Sequence, residues 1–181
     1  MSALPASDRY SSVSIAFHWA VAALVIGLYG LGLSLESFGE DFERAAIPLH
    51  KSFGVLLLGL TVLRLVWRLA TPQPTALDGP AWQHHAATAA HWLLYALIVA
   101  IPVSGIVMSW SAGRPVSVFG LVELPTLMAK NDWARDLKEV HEILSNVLMI
   151  VVGLHAAAAI WHHRVLKDAT LTRMLPQMRR G

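Results

Sequence analysis

Four long apolar runs, separated by segments rich in charge, set the pattern of the chain. The first extends from Ile15 to Leu35 and carries His18 and no formal charge. The second, Ile47 to Leu69, holds Lys51, Arg64 and Arg68 only near its ends. The third, Ala86 to Trp110, is uncharged, and the fourth, Val140 to Trp161, is uncharged after Glu142. The runs are continuous rather than alternating, so strands are not expected in them. Each reaches the about 20 helical residues that a bilayer core of about 30 Å demands. Backbone groups in lipid must be satisfied within their own segment, which leaves the helix. The pattern therefore predicts an all-α integral membrane four-helix bundle, one domain over 1–181, with helices at about 15–35, 47–69, 86–110 and 140–161. Pro102 is expected to kink the third helix. The first run is longer than the roughly 7–15-residue core of a cleaved signal peptide, and no A-x-A-like site follows it, so it reads as a span.

Composition agrees. Hydrophobic residues make up 55% and charged residues 14%, where a soluble protein carries about 25% charged; lipid must cover part of the surface. The net charge of +2 is too small for a nucleic-acid binder, so none is expected as a partner. With no cysteine in the chain, disulfides, iron–sulfur clusters, thiolate zinc and covalently attached haem are excluded. Four spans put both termini and the loop Ala70–His85 on one side. That side is net +5 and the opposite one net −3, counting Asp8, Arg179 and Arg180 on the first and Glu36 on the second. The basic excess favours cytoplasmic termini. Trp19, Trp67, Trp82, Trp92 and Trp161 then fall near the inner interface and Trp110 and Trp133 near the outer one, as an aromatic belt would.

Nine histidines change the picture, because an ionisable side chain within a span is costly and marks a candidate site. His141 and His155 lie 14 residues apart on the fourth helix. That spacing places them on one face, offset by about 40°, and about 21 Å apart along the axis. Two planar cofactors can hang from such a helix at two depths. Antiparallel neighbours supply matching partners: His18 at the inner level for His155, and His50 at the outer level for His141. Paired imidazoles suit haem iron and leave no open coordination position, which favours electron transfer. Small residues near the ligands, Gly54, Gly153 and Ala156–Ala159, leave space for a macrocycle. His91 is the competitor to His18, as ligand or as partner of a haem propionate. His84, His85, His162 and His163 read as solvated interface residues. Arg64 and Arg68 are candidates for the propionates of an inner haem, Lys51 and Arg114 for those of an outer one.

The stretches Ser14–Trp19 (SIAFHW), Leu49–Gly54 (LHKSFG), Val62–Leu69 (VLRLVWRL), Ala90–Tyr95 (AHWLLY) and Val152–Ala159 (VGLHAAAA), with the tail His162–Pro176, resemble the bacterial cytochrome b561 family of di-haem membrane cytochromes from about Tyr10 to Arg180. The resemblance implies four helices, two non-covalent haems b and metal ligands at His18, His50, His141 and His155. It also implies quinone-linked electron transfer in the inner membrane and, for the nearest members, oxidation of superoxide with ubiquinone reduced. The loop Leu121–Arg135 is its least similar part. Lys51, beside His50, and Arg114 would then guide superoxide to the outer haem. Two other readings stay open: a cytochrome subunit fed by a partner dehydrogenase or hydrogenase, and a haem-free transporter or proton relay using the same histidines.

Overall fold

In a computed structural model the chain forms four long helices, α1 (Ser12–Ser34), α2 (Glu40–Ala70), α3 (Ala81–Ser111) and α4 (Ala134–Trp161). A two-stranded hairpin, β1 (Val116–Val118) and β2 (Val122–Leu124), lies between α3 and α4. The structure describes residues 9–35 and 37–175; Asp8, Glu36, Arg179 and Arg180 of the charge balance and Pro176 of the tail motif lie outside the described residues. All four helices are long and apolar enough to cross a membrane, and the chain is an integral membrane protein.

The helices outrun the apolar runs where polar turns continue them beyond the lipid. Helix α2 begins at Glu40, not Ile47, because Glu40, Asp41 and Glu43 occupy its first turn, where carboxylates offset the positive end of the helix dipole. Helix α4 likewise begins at Ala134, with Asp136 in its first turn. Ser11 caps α1 by accepting the Ser14 N–H. Helix α3 starts behind Pro80 and continues through Pro102 to Ser111. After α4 the chain makes a single π-turn, His162–Leu166, and folds back as a strap ending in a short 3-10 turn, Thr172–Met174.

The hairpin is the element the apolar pattern did not predict. Its turn needs two residues in the left-handed region, Phe119 (φ 52°) and Gly120 (φ 71°), and Leu121 N–H closes it on Val118 O. Ser52 of α2 seats it by accepting the Phe119 N–H at 2.9 Å and lying 3.2 Å from Ser117 O. Phe119 stacks edge-to-face on Phe53.

Packing follows the hairpin order of the chain: α1 on α2, α2 on α3, and α3 most extensively on α4. The buried core is small, comprising Val21, Val25, Leu57, Leu97, Ile98 and Leu148. Val25, Leu57, Ile98 and Leu148 each lie seven residues from a histidine of their own helix, so the core is a plug near mid-depth. Outward-facing Ile150 and Leu154 are each more than 60% exposed, a surface suited to lipid. Trp82, Trp92, Trp161 and Trp133 are exposed at the ends as a belt requires. Trp67 differs: it is half-buried and donates to Ser14 Oγ, and the Trp110 indole nitrogen is buried without a partner.

Candidate functional site

The mid-depth plug separates two polar sites. At the hairpin end, His50 of α2 faces His141 of α4 with ring centroids 6.3 Å apart. At the end carrying the termini, His18 of α1 faces His155 of α4 with centroids 6.4 Å apart. Two imidazoles in line with a shared transition metal, each bound at about 2.0–2.1 Å, place their centroids about 6.3 Å apart. Both pairs match that spacing. Among the described residues no three His, Cys, Asp or Glu converge as a metal-ion cluster; each pair offers two axial positions only, which suits a metal that brings its own equatorial ligands.

The hairpin-end pair borders a cavity of about 630 Å³, within the about 300–1,000 Å³ of ordinary cofactor sites. Its lining includes Gly32, Gly54, Gly105, Lys51 and Arg114. A Cβ at Gly105 would stand 3.2 Å from the His141 ring and one at Gly32 3.5 Å from the His50 ring. Those two glycines let the rings stand where they do; Gly153 has open space beside it and Ala156–Ala158 are exposed. His141 Nδ1 lies 3.0 Å from Ile101 O and 3.0 Å from Ser104 Oγ. Donation from Nδ1 to that carbonyl leaves Nε2 with its lone pair free for a metal. His50 Nδ1 is buried and has no hydrogen-bond partner. Lys51 Nζ donates to Ser109 Oγ at 2.8 Å and reaches Pro115 O at 3.4 Å, while Ser109 Oγ donates to Arg114 O. Arg114 itself is exposed.

The terminal-end site is crowded. His91 of α3 also faces His155, at 5.6 Å between centroids, shorter than the spacing of the two pairs above. The guanidinium of Arg64 lies 3.1 Å from His18 Nδ1 and covers the Tyr95 ring at 5.4 Å. Its N–H donates to His18 Nδ1, so in this arrangement the His18 proton is on Nε2 and the ring must release Arg64 before Nε2 can bind a metal. Tyr95 Oη is buried and unpartnered. Arg64, Arg68 and Tyr95 line a void of only about 10 Å³, closed by Met174 of the strap. His84 and His85 are exposed, as expected of interface residues, but His162 is half-buried and paired with Asp168 at 2.6 Å. Burial works against the Asp168 charge, yet hydrogen bonds from His162 and Thr170 hold its carboxyl below the usual range.

Sequence reasoning missed Gly105, the Ile101 carbonyl, Ser104, Tyr95 and the His162–Asp168 pair. Only Gly105 carried a signal, lying one turn beyond Ile101 in an uncharged span. The others depend on which helices meet.

Spanning helices that present imidazole pairs, in a chain without cysteine, define a membrane protein built for non-covalent haem. The chain belongs to the prokaryotic cytochrome b561 family, whose model matches residues 9–177. It is 37% identical over 172 residues to cytochrome b561 homolog 2 of Escherichia coli K12, covering 93% of this chain and 92% of that protein. It is 35% identical over 173 residues to the probable superoxide oxidase CybB of Yersinia pestis, covering 94% and 98%. To cytochrome b562 of Cereibacter sphaeroides it is 28% identical over 172 residues, covering 92% and 94%. The protein is thus a membrane electron-transfer cytochrome that binds haem b, which removes the haem-free reading.

Proposed function

We propose that this chain, a single four-helix unit, carries two haems b, one between His50 and His141 and one between His18 and His155, and moves electrons from superoxide to ubiquinone. The observation that carries the reading is the pair of centroid spacings, 6.3 and 6.4 Å, in two layers separated by the apolar plug. Held by these histidines, haem b would supply a one-electron carrier. The chain's own residues do the rest. Ile101 O and Ser104 orient His141; Gly32 and Gly105 admit the rings; the plug excludes water between the layers. Arg64 and Arg68 would meet the carboxylates of the terminal-end group, and His91, 5.6 Å from His155 between ring centroids, would stand beside it as a neighbour rather than a ligand.

Superoxide is the donor favoured at the hairpin end. Lys51 and Arg114 form a local basic pair at the cavity, and among the described residues neither is within salt-bridge distance of a carboxylate. Glu43 and Glu142 also line the cavity, but Glu142 is paired with Lys138, and Glu40 and Asp41 are paired with Arg44. Screening beyond about 8–10 Å leaves the near pair in control of an approaching anion. The basic terminal end faces the cytoplasm, so the hairpin end faces the periplasm of a bacterial inner membrane. The probable superoxide oxidase among the relatives supports the same donor.

Stopped-flow mixing of the oxidised protein with superoxide is the test. Rapid haem reduction, reversed by ubiquinone, is expected; haems that stay oxidised would shift the donor to a partner dehydrogenase or hydrogenase, the second reading.

A further inference from the structure

The four helices close on one another unevenly. Helix α1 leads into α2, α2 packs on α3, and α3 packs most extensively on α4. No loop joins α1 to α4, and their backbones do not approach as closely as those of the other neighbours. Between these two helices the only hydrogen bond among the described residues runs from Tyr29 Oη to Asn146 Oδ1, at 2.8 Å. Tyr29 lies six residues before Leu35, where the first apolar run ends, and Asn146 six residues after Val140, where the fourth begins. Both therefore stand about 9 Å inside the lipid from the hairpin side. Asn146 is exposed there, and polar side chains within a span are costly and mark function.

The cavity beside His50 and His141 reaches this seam. Tyr29 and Leu33 of α1 line it on one flank, and Lys138, Glu142 and Asn146 of α4 on the other. The three α4 residues recur every four positions, so they share one side of the helix. They are exposed as well as lining, as is Leu33. Side chains that face both the cavity and the outside form a mouth. This one is a slot along the seam, polar at Lys138 and Glu142 and apolar deeper, at Val25, Leu28 and Met149. The other approach, beside Arg114, is fastened: Ser52 seats the hairpin, and Lys51 ties α2 to Ser109 and Pro115.

We propose that the α1–α4 seam is the door by which haem dissolved in the bilayer enters and leaves the hairpin-end site, with the Tyr29–Asn146 bond its latch. This rests on the reading of a haem between His50 and His141. A chain without cysteine holds haem by reversible bonds alone, so a route in and out must exist. Haem is a flat apolar ring with two carboxylates on one edge, and it partitions into membranes. A slot with a polar upper end and an apolar lower end matches such a plate. Opening the seam breaks one interhelical hydrogen bond and lets the α1–α2 and α3–α4 pairs swing apart intact. Opening the hairpin side breaks the Ser52 and Lys51 networks instead.

The test uses the holoprotein in lipid nanodiscs, with excess apomyoglobin trapping released haem and each haem followed by its own spectral features. Exit retraces entry, so the rate of loss reports the door. Because the chain has no cysteine, a Tyr29→Cys/Asn146→Cys variant carries only two thiols, which a short bismaleimide bridges across the seam. Bridging should slow loss of the hairpin-end haem about 10-fold or more against the same variant capped with N-ethylmaleimide, a barrier raised by about 1.4 kcal/mol. Loss of the terminal-end haem should not change. A Phe53→Cys/Phe119→Cys bridge, which pins the hairpin to α2 where the rings stand 5.2 Å apart, should alter neither rate. Tyr29→Phe should speed loss of the hairpin-end haem about 5-fold, the equivalent of about 1 kcal/mol, with the oxidised spectrum unchanged. Equal loss from bridged and capped protein, or slowing by the hairpin bridge instead, would overturn the door and leave the haem between His50 and His141 standing. Slowing of both haems alike by the seam bridge would also overturn it, showing a general tightening of the bundle. A His50→Ala variant that keeps the full haem content would remove that haem's placement and the door together.

Discussion

The two ends of the bundle present similar histidine pairs in opposite surroundings. At the hairpin end the pair borders a cavity of about 630 Å³, His141 is held by a backbone carbonyl, and Lys51 and Arg114 line the cavity with Glu43, Lys138 and Glu142. At the terminal end Arg64, Arg68 and Tyr95 line a void of about 10 Å³ together with Met174 of the strap, and a guanidinium lies against His18. One end is shaped for access from outside and the other for keeping charge under cover. A cation held in low dielectric near an iron favours the form with one positive charge fewer, the reduced one. The terminal-end haem should therefore have the higher potential, and electrons should run from hairpin end to terminal end.

The largest effect expected from breaking this comparison is loss of one cofactor. His50→Ala or His141→Ala should lose the hairpin-end haem, and His18→Ala or His155→Ala the terminal-end one, each leaving about half the haem content and one set of spectral features. His91→Ala should retain both; loss of the terminal-end haem in that variant but not in His18→Ala would reverse the pairing there. Gly105→Val should act like His141→Ala in part, because even a Cβ would press on the His141 ring at 3.2 Å; haem content by absorption checks it.

Smaller effects sharpen the electrostatic contrast. Lys51→Glu should slow superoxide reduction about 10-fold and weaken its dependence on salt, with haem content unchanged; stopped-flow rates at two ionic strengths decide it. Arg64→Gln should lower the potential of the terminal-end haem alone. A unit charge at about 10 Å in an effective dielectric of about 20 is worth about 1.7 kcal/mol, or about 70 mV for one electron. A redox titration in which neither haem shifts would remove Arg64 from that role.

The four spans and both histidine layers were legible because lipid imposes two simple rules: long apolar runs become helices, and spacing along a helix fixes depth and face. His155 lies two heptads after His141, and that arithmetic needs no tertiary knowledge. The same rules fail beyond the lipid. Polar turns lengthen α2 back to Glu40 and α4 back to Ala134 without leaving an apolar trace. The hairpin has three-residue strands, too short for a periodic signal, and depends on Ser52 of another helix. Ile101 O cannot be read from sequence as a partner of His141, since every helical residue has a carbonyl and only packing selects one. His162 read as a solvated interface residue because its partner, Asp168, lies beyond a reversal of the chain that no local pattern announces.

The central claim is two haems, each between two histidines of different helices. A pyridine haemochrome assay on the purified protein, with its oxidised spectrum and protein concentration, tests it most directly. The account predicts two b-type haems per chain, both low-spin and both extractable with acid-acetone because no cysteine tethers them. A ratio near one, or a high-spin ferric spectrum, would contradict it.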